Sequence, residues 1–71
     1  MMSLRVAKQP NRLKALRAER AATQWDVADA TGIAHWRYWK IEAGRAEPTP
    51  QERRALCRAM GVTHADIWPA A

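Results

Sequence analysis

The chain has 71 residues, 48% of them hydrophobic, with a formal net charge of +5 and a pI near 10.4. That length suits one small domain, with no separate catalytic or ligand-sensing unit expected within it, and the apolar content argues for a compact fold. A single cysteine, Cys57, excludes an internal disulfide and a cysteine-held zinc, and no apolar run approaches the roughly 20 residues of a membrane span.

Residues 1–10 read as an N-terminal arm without the apolar core of a signal peptide. Its Arg5 and Lys8 suit phosphate or minor-groove contacts as well as a solvated tail. Pro10-Asn11 then opens a first helix, through about Arg20, on which Leu13, Leu16, Arg17 and Arg20 share one face. Thr23 with Asp26 makes a capping box for a second helix, whose inner side carries Val27, Ala28 and Thr31. Gly32 ends that helix with a positive φ. A third helix runs from about Ala34 to Ala43, with Ala34, Tyr38 and Ile41 as its inner stripe and Gly44 as its stop. Thr49-Pro50-Gln51-Glu52 starts a fourth helix, through Met60, with a capping box and a proline at its first position. Thr63 begins a last short turn carrying Ile67 and Trp68, closed by Pro69. The expected fold is all-α, with five short helices in a domain over 11–68 and a tail at 69–71.

The link Thr31-Gly32-Ile33 between the second and third helices is short. It forces a steep crossing that Ile33 can plug, the pattern of a helix-turn-helix. One face of the third helix then stays outside: His35, Trp36, Trp39, Lys40 and Ala43. Lys40 can donate to guanine O6 and N7, and His35 can donate or accept at a base edge or bind phosphate. No second ligand accompanies His35 at a suitable spacing, so no metal is expected. The two tryptophans leave three readings open: DNA contact by shape and thymine methyls, a protein hot spot, or a lean sideways that extends the core. Trp25, at the start of the second helix, can lie along the DNA backbone or close over the domain's edge. Arg37, at the border of the outer face, suits a phosphate or a flanking base.

Arg17 and Glu42 lie on the apolar stripes of the first and third helices. A lone charge there carries a heavy desolvation cost, so the two imply a pair. Arg53 shares a stripe with Leu56, Cys57 and Met60. Its stem can snorkel over the core edge, or Arg53 and Arg54 can face a partner or DNA. Cys57 reads as a small buried residue, and Ala34 lacks the hydroxyl that caps many helix starts.

From Asn11 to Trp68 the chain resembles the lambda-repressor/Cro-like (XRE-type) helix-turn-helix family. The resemblance rests on Leu13-Lys-Ala-Leu-Arg17, Thr23-Gln24, Gly32-Ile33, Lys40-Ile-Glu42, Gly44 and Pro48. It continues through Leu56-Cys-Arg-Ala-Met-Gly-Val62 and Asp66-Ile-Trp68. It implies a five-helix DNA-binding domain, usually a homodimer on a pseudo-palindromic operator of double-stranded DNA, in a phage or bacterial regulator. A cytoplasmic location, with no membrane and no cofactor, is then expected. By the same resemblance Gln24 and Arg45 fall at phosphate contacts, and His35, Trp36 and Lys40 at base-reading positions. Arg17–Glu42 is a helix-orienting pair, and Met60, Val62, Ile67 and Trp68 fall near the dimer contact. The expected function is a sequence-specific transcriptional regulator, with repression favoured over activation. The alternative is an antitoxin-like or other protein-binding module using the tryptophan face. An enzyme is not expected, since no nucleophile–base pair, carboxylate dyad or phosphate-cradling glycine loop is present.

Overall fold

A computed structural model describes residues 11–69. Five helices follow in chain order: α1 (Leu13–Glu19), α2 (Gln24–Thr31), α3 (His35–Glu42), α4 (Pro50–Met60) and α5 (His64–Ile67). No strand occurs among the described residues, so the fold is the all-helical one expected. No helix among them is long and apolar enough to cross a membrane. The arm with Arg5 and Lys8 lies outside the described residues, as do Ala70 and Ala71 of the tail.

Local chemistry sets most boundaries. At α2 the Thr23 Oγ1 accepts from the Asp26 N–H at 3.0 Å, and the Asp26 carboxylate accepts from the Thr23 N–H at 2.9 Å. Thr49 with Glu52 does the same for α4, and Thr63 with Asp66 for α5. Each box satisfies two N–H groups that a helix start leaves without intrahelical partners. Ala34 precedes α3 with no side-chain cap, as its methyl requires. Gly32 ends α2 at φ 77°, a left-handed conformation that costs glycine nothing.

Asn11 does more than open a helix. Its Oδ1 accepts from the Leu13 N–H at 3.0 Å while its Nδ2 donates to the Ile41 carbonyl at 3.0 Å. One side chain therefore caps the start of α1 and ties it to the last turn of α3.

The core gathers Leu13 and Leu16 of α1, Val27 and Ala28 of α2, Ile33 of the turn, Tyr38 and Ile41 of α3, Leu56 and Met60 of α4, and Ile67 of α5. A fully buried leucine or isoleucine contributes about 1.5–3 kcal/mol. Burial of Ile33 anchors the link between α2 and α3, so the orientation of α3 is set from inside. At the C-terminal end the Arg12 N–H donates to the Ile67 carbonyl at 2.9 Å and holds α5 against the start of α1.

Met60 and Ile67 were expected near a subunit contact. Both are buried within the single chain, Ile67 completely and Met60 nearly so, and both serve the core. Val62 and Trp68 are half-buried against the same core. Trp68 lies beneath the Arg53 guanidinium, 4.6 Å from its ring centre, and against the His64 ring at 4.8 Å. Arg53 thus covers the core edge with its charged end on an aromatic face, and its Nη2 lies 3.6 Å from Glu47. Cys57 is partly buried, which pushes its thiol above the ordinary range and away from thiolate reactivity.

Candidate nucleic-acid interface

The inner stripe of α3, Tyr38 and Ile41, is buried, and the opposite face is open. There Trp36 is 63% exposed and Trp39 51%, so neither leans into the core. Lys40 shares this face, with its ammonium 5.6 Å from the centre of the Trp36 ring. Arg45, just past the helix, is exposed; its backbone N–H donates to the Lys40 carbonyl at 2.8 Å and folds the chain back on the helix end.

A polar network fixes this face from one side. Arg17 Nε donates to Glu42 Oε2 at 2.8 Å and its Nη2 reaches Glu42 Oε1 at 3.4 Å. The Glu42 side chain keeps only 6% exposure and that of Arg17 17%. The bond to Glu42 holds the Arg17 guanidinium above its ordinary range. Arg17 also donates to the Ala22 carbonyl at 3.1 Å, which joins the α1–α2 turn to the pair. Gln24 Nε2 donates to Glu42 Oε1 as well. Glu42 is therefore the common acceptor of α1 and α2 at the end of α3. Burial raises the Tyr38 phenol above its ordinary range, and Glu42 acts in the same direction.

The other side of α3 is held by a second pair. Arg37 Nε donates to Glu52 Oε2 at 2.7 Å and its Nη2 to Glu52 Oε1 at 2.9 Å, and Nη2 reaches the Glu47 carbonyl at 3.3 Å. This two-pronged geometry occupies the guanidinium fork. Arg37, expected at DNA, instead fastens α3 to the start of α4. The pair raises the Arg37 guanidinium and lowers the Glu52 carboxyl from their ordinary ranges.

His35 is likewise turned aside. Its Nε2 is 3.4 Å from Asp29 Oδ1, and its ring meets Trp25 edge to face. Trp25 remains 61% exposed and forms a wall where α2 and α3 meet. Lys14, absent from the expected site, lines a cleft of ≈ 190 Å³ with Arg17, Gln24, Trp39, Glu42 and Ala43. Its spacing of three residues from Arg17 on α1 was the signal that could have placed it there.

The comparisons agree with the fold that carries this face. The family model of a helix-turn-helix domain matches residues 11–67. The crystal structure of the clp gene regulator ClgR from C. glutamicum is similar at a TM-score of 0.69 and 28% sequence identity, over 76% of this chain and 70% of that one. Among curated proteins none matches the sequence. With α2, the Gly32 turn and α3 all inside the matched stretch, the chain belongs to the helix-turn-helix domain family.

Proposed function

We propose that the protein is a DNA-binding transcriptional regulator that lays α3 in the major groove. The observation that carries this reading is the outer face of α3, open and held from both sides through Glu42 and Glu52. Membership of the helix-turn-helix family and likeness to a solved gene regulator support it. A rigid helix presenting side chains from one face is what base reading requires.

In this reading Lys40 donates to guanine from the centre of the face. Gln24 keeps one amide proton after serving Glu42 and stands at the start of α2, where helix N–H groups without intrahelical partners suit a phosphate. Arg45 and Lys14 flank the face as further phosphate contacts. The regulator binds as a homodimer on a pseudo-palindromic operator and represses by occupying it.

Selection of bound sequences from a random DNA pool at moderate salt tests the proposal. The expected result is a palindromic motif whose base preference relaxes in Lys40→Ala, while Gln24→Ala weakens all sequences alike. Absence of any enriched motif would overturn the DNA reading. It would favour the second one, a protein partner seated on the exposed tryptophans, which is supported by the rarity of such aromatic surface on a small domain.

A further inference from the structure

The outer face of α3 holds an unusual set of groups for base reading, and the structure narrows it further. Arg37 is spent on Glu52, and His35 is engaged by Asp29 and Trp25. What remains forward is Trp36, Trp39 and Lys40. An indole has one N–H donor and no acceptor, so it cannot make the paired hydrogen bonds that separate one base edge from another. Its strength is apolar area. The major-groove edge offers one apolar group, the methyl on C5 of a pyrimidine, present in thymine and in 5-methylcytosine.

We infer that Trp36 and Trp39 make this protein a reader of C5-methyl groups, with Lys40 selecting a guanine beside them. This inference rests on the DNA reading above. Residues three apart on a helix differ by about 4.5 Å of rise, and successive bases by about 3.4 Å. The two spacings are of similar size, so the indoles can reach neighbouring or next-neighbouring bases. The Lys40 ammonium lies 5.6 Å from the centre of the Trp36 ring, so the two groups reach the groove side by side. Its guanine then lies next to the methyl under Trp36. A polyanion suits the patch better than an apolar protein surface. Lys14, Lys40 and Arg45 surround it, and none has an ion-pair partner among the described residues.

The test replaces thymine by uracil, one position at a time, in the sequence the full chain selects from the random pool. Removing a contacted methyl is expected to weaken binding roughly three- to fourfold, the scale of one buried carbon group. Trp36→Ala and Trp39→Ala lie on exposed surface, so their melting curves are expected to match the parent's. Each is expected to bind its thymine and uracil versions equally. Putting 5-methylcytosine at the sensitive positions separates the two sources of the methyl. Recovered affinity identifies any C5-methyl as the ligand, and recovery by thymine alone identifies thymine. Equal binding of thymine and uracil operators by the parent would overturn the inference while leaving the DNA reading intact. A pool with no enriched sequence would overturn both.

Discussion

Glu42 sits where three helices are tied together. It accepts from Arg17 on α1 and Gln24 on α2 while sitting at the end of α3, so one carboxylate fixes three helices. A buried pair of this kind is a poor source of net stability, because desolvating both ions offsets most of their attraction. Breaking it is different. Glu42→Ala leaves Arg17 in a pocket where it keeps 17% exposure, with only the Ala22 carbonyl as partner. The expected cost is about 3 kcal/mol, the lower end for broken buried pairs because the Arg17 rim still touches water. Urea denaturation measures it, and unchanged stability would contradict the pairing. A domain this small has a net stability on the order of 3–5 kcal/mol, so Glu42→Ala can unfold outright. Glu42→Gln keeps an acceptor for Gln24 and is expected to fall between parent and alanine.

Element boundaries and element partners differ in how well the sequence announces them. Thr23 with Asp26, and Thr49 with Glu52, were readable because a capping box is complete within four residues. The partners across helices were not. Arg37 lies 15 residues from Glu52, and Asn11 lies 30 from Ile41, so only the packing of α3 against α4 and α1 brings them together. The Arg17–Glu42 pair was legible despite its separation of 25 residues, because a charge within an apolar stripe demands a partner. Arg37 and Glu52 carried no such mark, since each borders solvent. The ambiguity of Met60 and Ile67 has another origin: apolar residues near a chain end suit a core and an interface equally. The caps also set the acid behaviour of the helices. Hydrogen bonds from Arg37 lower the Glu52 carboxyl, and those from the Thr23 and Thr63 caps lower Asp26 and Asp66. A carboxyl whose folded pKa is depressed stabilises the fold above its unfolded pKa, and loses that contribution as pH falls through the folded value. The melting temperature is therefore expected to hold down to about pH 4.5 and then drop, as unfolded carboxyls begin to bind protons. Glu52→Gln is expected to melt lower than the parent at pH 7, with the gap narrowing as pH falls through and below the ordinary glutamate range. A gap independent of pH would assign the Glu52 contribution to packing instead.

At the scale of the molecule, the useful part of the +5 net charge is its placement. Arg12, Arg17, Arg20, Arg37 and Arg53 are each matched to a carboxylate and serve the fold. Lys14, Lys40 and Arg45 lie around the outer face of α3 with no such partner among the described residues. Cations left free beside the tryptophans separate the two components of affinity. Phosphate contacts release condensed counterions, and the log–log slope of affinity against salt is about −0.9 for each phosphate neutralised. Arg45→Ala and Lys14→Ala are each expected to reduce that slope by about 0.9 if one chain occupies the site. If two copies occupy a palindrome, each change acts twice and the reduction is about 1.8. Trp39→Ala is expected to weaken binding with the slope unchanged, since an indole neutralises no phosphate. Fluorescence anisotropy titrations of the selected operator over a series of salt concentrations measure all three. The size of the Arg45 step reports how many chains sit on the DNA. A change of slope in Trp39→Ala would mean that the tryptophan positions a cation, and would remove it from direct contact with the bases.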